Sequence, residues 1–261
     1  MIRNSFLLLG VTGVGKTYSL RTFLDAGLDV FIAATEPGIE VTLGDTDPAH
    51  LHWHYLPPIS QSWDVLIKGA KRLNTLPFKS LASNDSLDKS HFTQTIAFLE
   101  TCNNFTCDRT GESFGDVAEW DASRVFAVDS LSGLSEMVMY GVAGTKPVRS
   151  QADWGMAMAQ LETIISKLVT DTRCSFVLTA HVDREVDEIA GGTSIMPATL
   201  GRRLAPKIPR YFDDVVYVKR EGTTFSWSTT ESNMALKART LPFSATIPPT
   251  FAPYYKEEAT T

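Results

Sequence analysis

The sequence predicts an α/β fold: a mainly parallel central sheet with helices on both faces and an antiparallel meander towards the C-terminus. Three observations predict it. Apolar runs of strand length alternate with segments of helical periodicity through most of the 261 residues. A glycine-rich turn joins the first such run directly to the first helical segment. From Val215 the chain changes to short strand-like runs at close spacing, the pattern of a meander.

Taken in order, Phe6-Leu7-Leu8-Leu9 is a buried-strand run, and residues 18–26 carry Leu20, Phe23 and Leu24 at helical spacing. Residues 28–34 join β-branched and aromatic residues in a second strand, which ends at the turn signal Thr35-Glu36-Pro37-Gly38. Residues 51–56 form a third strand, closed by Pro57-Pro58. Trp63, Ile67, Ala70 and Leu73 mark a helix that Ser62 can cap. Residues 77–89 are polar and turn-rich, 92–105 carry Ile96, Phe98 and Leu99 as a helix, and 107–121 are again polar. The whole of 77–121 therefore reads as an insertion or excursion from the sheet. Val125-Phe126-Ala127-Val128-Asp129 returns to a strand. Residues 150–170 are the clearest helix, lined by Trp154, Met158, Leu161, Ile164, Ile165 and Leu168. Residues 174–180 form another apolar strand, and 215–218, 224–228 and 233–236 make up the meander. The reading is one core domain over 1–240 and an irregular, Pro-rich tail over 241–261.

Composition narrows the function. A net charge of −6 and a pI near 5.4 give no global field that would draw the chain onto nucleic acid or membrane. Any DNA contact must come from a local basic patch or an assembled oligomer. Three cysteines make no disulfide framework and point to a reducing compartment. No run reaches the ~18 apolar residues of a membrane span, and the segment before the glycine turn is too short for a signal sequence. A cytoplasmic protein without a membrane partner is expected.

The chemistry starts at Gly10-Val11-Thr12-Gly13-Val14-Gly15-Lys16-Thr17, which fits the phosphate-binding loop G-x-x-x-x-G-K-[ST] in its required setting of strand, loop and helix. Backbone N–H groups and the helix N-terminus surround an anion there. Lys16 pairs with β- and γ-phosphates, and the Thr17 hydroxyl takes Mg²⁺. Asp129, at the end of four apolar residues, is placed where open α/β sheets bind ligands and can hold the same Mg²⁺. Glu36 follows the next buried strand and is the candidate to activate water. Glu40, beyond the Pro37-Gly38 turn, competes with it, and a solvated loop acid is the plainer alternative. His181 follows the apolar run 175–180 and can sense the γ-phosphate, or simply be hydrogen-bonded at a strand end. Lys237 and Arg239, two apart in an extended segment, point the same way and can reach one phosphate, also on an adjacent subunit. Otherwise they are a solvated strand end. Arg202, Arg203, Lys207 and Arg210 form the one dense basic stretch, either a phosphate-backbone contact or a solvated or subunit-contact surface. Ala190-Gly191-Gly192-Thr193 before it reads as a mobile loop. His50, His52 and His54 alternate as on one strand face but lack an acid or cysteine to complete a metal site. Cys102 and Cys107 read as ordinary thiols.

On these residues the chain resembles the RecA-like P-loop ATPases, and more narrowly the phage-encoded nucleotide-binding proteins of the Sak-type single-strand-annealing group. The matches are the phosphate loop, Thr35-Glu36, Val128-Asp129-Ser130, Leu178-Thr179-Ala180-His181 and Lys237-Ala238-Arg239, with Asp153-Trp154-Gly155 and Arg210-Tyr211-Phe212-Asp213 also similar. The resemblance implies that Glu36 activates water, that His181 couples nucleotide state to the following DNA-binding loop, and that Lys237 and Arg239 act across a subunit interface. It implies a homo-oligomer with ATP at its interfaces and single-stranded DNA along an inner surface. Where RecA has glutamine at the sensor place, this chain has His181.

The expected function is thus a Mg²⁺-dependent ATPase binding single-stranded DNA in phage recombination, annealing or replication, in the host cytoplasm. Two alternatives stand beside it. One is a nucleotide-switched module recruiting a single-strand-binding protein, with Tyr254-Tyr255 of the tail as a contact. The other is a helicase-like motor or loader on the same core.

Overall fold

Strands buried on both faces read as unbroken apolar runs and pair in parallel, and the central sheet follows that rule. A computed structural model describes residues 3–58, 62–75, 77, 92–144, 146, 148–187 and 192–255. Strands β1 (Ser5–Leu9), β2 (Asp29–Ala34), β3 (Leu51–Tyr55), β4 (Arg124–Asp129), β5 (Ser175–Ala180) and β8 (Asp214–Glu221) are all parallel, and β9 (Thr224–Ser228) returns antiparallel along β8. The order across the sheet is β3-β2-β4-β5-β1-β8-β9.

Alternate side chains of β1 separate the two cores. Leu7 and Leu9 face a cluster containing Phe98 of α4 (Gln94–Asn103), Leu134 of α5 (Leu131–Ala143) and Leu161 of α6 (Gln151–Thr170). Phe6 and Leu8 face the other cluster, under α1 (Lys16–Ser19), the 3₁₀ helix Leu20–Ala26 and α2 (Ile39–Leu43). Helices therefore cover both faces. Ser150 starts α6 with a capping box: its Oγ accepts from the Asp153 N–H, and Asp153 Oδ2 accepts from the Ser150 N–H.

The tail segment packs against the second core. Phe251 stacks on Phe23 at 3.9 Å and meets Phe6 edge-on at 4.9 Å, contacts worth ~0.5–1.5 kcal/mol each beyond area burial. Tyr255 is buried and donates to Ser175 Oγ, so it is not a free docking group.

Five local features depart from the sequence reading. The helix expected over 18–26 divides into α1 and a 3₁₀ helix. Ser19 Oγ donates to Lys16 O and Thr22 Oγ1 to Ser19 O, side-chain bonds three residues back that compete for helix carbonyls. Helix α3 (Trp63–Thr75) forms, but Trp63, Ile67 and Ala70 lie outside both cores, with Trp63 81% exposed. Helix α5 replaces a stretch with no expected element. Of the loop expected over 190–193, Gly192 and Thr193 begin a strand, β7 (Gly192–Pro197), which pairs antiparallel with β6 (Val182–Asp187). Ala190 and Gly191 lie outside the described residues, as do 78–91 within the expected excursion. The third meander strand, 233–236, is not a strand. Met234 bridges to Ile195 and Lys237 to Val215, so the segment divides its pairing between two partners and builds no ladder.

Residues 92–121 are no loose excursion in their packing: Phe98, Phe105, Val117 and Trp120 belong to the first core. No helix among the described residues is long and apolar enough to cross a membrane.

Candidate nucleotide site

Four neighbouring strands, β2, β4, β5 and β1, deliver one candidate group each to the same edge of the sheet. Glu36 follows β2, Asp129 ends β4, His181 follows β5, and the glycine-rich loop follows β1. This is the carboxyl edge, where open α/β sheets bind ligands. The residues line one cleft of about 540 Å³, formed by 12–19 of the loop and α1 with Thr22, Glu36, Thr42, Asp129, His181, Phe225 and Pro249.

The loop has the conformation an anion cradle needs. Gly13 and Gly15 hold φ of 79° and 90°, a region that side chains other than glycine rarely adopt. A Cβ on Gly10 would lie 2.8 Å from both the Val218 carbonyl oxygen and the Val14 side chain, so the loop can turn this closely over β8 only with glycine there. Lys16 is nearly buried, and its ammonium donates to the carbonyls of Gly10 and Val11 at 2.9 and 3.0 Å. Burial lowers the Lys16 pKa, while the charges of Asp129 and Glu36 act in the opposite direction.

Asp129 is held by two hydroxyls. Thr17 Oγ1 donates to Oδ2 at 2.6 Å, and Thr179 Oγ1 donates to Oδ1. Burial pushes the Asp129 carboxyl above the usual carboxylate range; the two hydroxyl bonds and Lys16 pull it down, and Glu36 pushes it further up. A buried carboxylate bonded to two hydroxyls is a hard-oxygen donor set. It fits Mg²⁺, which takes one or two protein oxygens and completes its shell with water and phosphate. No group of three or more His, Cys, Asp or Glu able to hold a metal exists among the described residues, and a P-loop magnesium site needs none.

Glu36 sits beside this pair. Its carboxylate accepts from Ser130 Oγ, and both of its oxygens lie 3.2 Å from His181 Nε2. The turn carrying it is locked to β4. The Thr35 N–H donates to the Asp129 carbonyl at 2.7 Å, Thr35 Oγ1 donates to the Ser130 carbonyl, and the Ser130 N–H donates to Thr35 Oγ1. Gly133, in the first turn of α5, makes room for this: a Cβ there would lie 2.2 Å from Thr35 Oγ1. The geometry favours Glu36 over Glu40, which is exposed in α2 and absent from the cleft lining.

The AAA domain family model matches residues 2–243. The chain belongs to this family. AAA domains are P-loop domains that generally act as ATPases, so nucleotide binding comes with the family, typically with Mg²⁺. No curated protein matches the chain significantly.

Other candidate residues of this AAA domain lie elsewhere. Lys237 pairs with Val215 near the start of β8, at the opposite edge of the sheet from the loop. Its ammonium donates to the Phe212 carbonyl at 2.5 Å, and Arg239 donates to Asp213 at 2.8 Å. They do not join the cleft of their own chain. The buried Asp214, which accepts from the N–H groups of Arg239, Thr240 and Leu241, fixes that segment. The basic stretch spans α7 (Gly201–Leu204) and the 3₁₀ helix Ala205–Tyr211. Glu162 lies 2.8 Å from Arg210 and 3.7 Å from Lys207, and Glu185 lies 3.4 Å from Arg202. Arg203 is exposed and has no acidic partner among the described residues. The three histidines do not converge as ligands: His50 pairs with Asp29 and His54 with Asp108, each at 2.8 Å, while His52 stacks on Phe31. Burial raises the Cys102 and Cys174 thiols to about 12 and about 11, so neither is a reactive thiolate.

Thr179, Ser130, Thr35 and Gly133 have structural roles here that sequence reading did not assign. Thr179 had a signal: it is the one hydroxyl near the end of a strand otherwise apolar from Phe176 to Ala180. Gly133 had none, because its partner is almost a hundred residues away in the chain.

Proposed function

We propose that this AAA domain is a Mg²⁺-dependent ATPase with a RecA-like core that works on single-stranded DNA in phage recombination, annealing or replication, in the manner of the Sak-type group. The observation that carries the reading is the convergence of Thr17, Asp129, Glu36 and His181 on one glycine-rich cradle. In this reading the amides of residues 12–17 and the Lys16 ammonium hold the triphosphate, and Thr17 with Asp129 holds Mg²⁺. Magnesium, when bound, neutralises charge on the β- and γ-phosphate oxygens.

Glu36 orients water and takes its proton. Ser130 and His181 fix the direction of that carboxylate. His181 also links the cleft to the next element: its carbonyl accepts from the Ala198 N–H at the foot of the β6–β7 hairpin. A shift of Glu36 towards water would free His181 and alter the hairpin's base. The hairpin stands beside the basic stretch, joined through the Glu185–Arg202 pair, and this is the surface assigned to DNA. Lys237 and Arg239 reach a phosphate only across an interface, so their part in the reading requires an oligomer with ATP between subunits.

ATP turnover titrated with single- and double-stranded DNA, with particle size followed alongside, tests the proposal. Turnover that rises with single-stranded DNA supports it. Turnover indifferent to DNA, with no DNA binding, overturns the DNA half and leaves an ATPase.

A further inference from the structure

The phosphate end of the cleft is polar, but the wall formed by the C-terminal segment is not. Phe225 of β9 and Pro249 both line the cleft beside the loop. The Phe225 ring is 40% exposed, although its strand neighbour Trp227 is fully buried. A Cβ on Gly15 would come within 3.4 Å of that ring, so Phe225 lies directly over the start of α1. Its position is fixed from below. Phe225 pairs with Arg220 across the β8–β9 ladder, the Arg220 guanidinium lies 5.3 Å from the ring centroid, and Arg220 Nε is tied to the Gly222 carbonyl. Pro249 is anchored between Ile247, which pairs with Trp227, and Phe251, whose N–H donates to Thr22 Oγ1.

An aromatic ring held half-open beside a phosphate cradle is a stacking platform for a nucleobase, since every base offers a π-face. We propose that Phe225 and Pro249 form the base slot of the cleft and take a purine ring without reading its edge. The proposal rests on the cleft being a nucleoside-triphosphate site. The side chains around the slot offer no base-selective group. Glu36 and Asp129 are the carboxylates in the described lining, and both are engaged at the magnesium end. The Thr22 hydroxyl donates to Ser19 O and accepts from Phe251, and the Thr42 hydroxyl donates to Gly38 O. That leaves the Thr12 and Tyr18 hydroxyls, which donate or accept equally well and so do not discriminate. Nucleotide selection between adenine and guanine is therefore weak, and affinity for the base comes from stacking.

Titration calorimetry with Mg-ATP, Mg-GTP and Mg-tripolyphosphate separates the base from the phosphates. The wild type should bind ATP and GTP with comparable affinity and both more tightly than tripolyphosphate. Phe225→Ala should weaken ATP about tenfold and leave tripolyphosphate unchanged, while Phe225→Trp should retain ATP affinity. Equal loss of all three ligands in Phe225→Ala, or no loss of any, overturns the base slot. A wild type that binds ATP no better than tripolyphosphate also overturns it but leaves the cradle standing. A wild type that binds none of them removes the cradle and the slot together.

Discussion

Glu36 and His181 meet at the carboxyl edge of the sheet, with both carboxylate oxygens 3.2 Å from the imidazole Nε2 although the residues belong to strands two places apart. β4 lies between β2 and β5, and its Ser130 completes the triangle by donating to Glu36. The acid is thus oriented from two sides, which the water-positioning role proposed for it requires.

Replacing that acid separates binding from chemistry. Glu36→Gln keeps the shape and the contact with Ser130, so Mg-ATP affinity should stay near the wild-type value. Turnover should fall about a hundredfold or more. Steady-state hydrolysis alongside equilibrium binding checks this, and full turnover by Glu36→Gln would transfer the role to another group.

Burial holds the Asp129 carboxyl above its ordinary range in the nucleotide-free chain. The folded state then keeps a proton that the unfolded state releases, and stability declines as pH rises from the ordinary carboxylate range through the raised value. Asp129→Asn cannot ionise and should flatten this part of the curve while losing Mg²⁺ dependence. Melting temperature against pH, without nucleotide, should show a smaller decline in Asp129→Asn; identical curves would show that Asp129 does not carry the slope.

Gly133→Ala places a methyl group where Thr35 Oγ1 stands. Relief requires moving either α5 or the Thr35-Glu36 turn, at a cost of about 1–3 kcal/mol. Urea denaturation should show that loss, and turnover should fall with it because Glu36 moves with the turn. Unchanged stability would mean that the neighbouring side chain yields freely.

Much of this site was legible in the sequence because its parts are local. The loop from Gly10 to Thr17 carries its whole conformational need within eight residues, and Asp129 and His181 each terminate an apolar run that could only be a buried strand. What stayed hidden depends on pairing between distant segments. The contacts of Thr179 with Asp129 and of Gly133 with Thr35 arise only when β4 is placed between β2 and β5. The β6–β7 hairpin carries a charged run through β6 and is largely exposed or half-buried, with Val182 and Pro197 at its base turned towards the protein, so it left no clear hydrophobic alternation to read. Helix α3 shows the converse: the periodicity of Trp63, Ile67, Ala70 and Leu73 predicted a helix correctly but not that Trp63, Ile67 and Ala70 would stay exposed.

The basic stretch makes a graded prediction. Glu162 and Glu185 already offset Arg202, Lys207 and Arg210, whereas Arg203 is unopposed. Arg203→Glu should therefore weaken single-stranded DNA binding more than Arg202→Glu. It should also lower the salt slope by ~0.7 for each phosphate that the protein no longer neutralises. Basal turnover without DNA should stay intact in both. Binding isotherms at several salt concentrations measure this, and equal affinity in Arg203→Glu and wild type would remove the stretch from the DNA surface.

Everything proposed for the cleft requires that the amides of the glycine-rich loop and the Lys16 ammonium grip a triphosphate. Calorimetric titration of Mg-ATP into the wild type and into Lys16→Ala, with circular dichroism to verify that both are folded, tests it most directly. Saturable binding at one site per chain is expected in the wild type, and none in a folded Lys16→Ala. Equal affinity in the two proteins would contradict it.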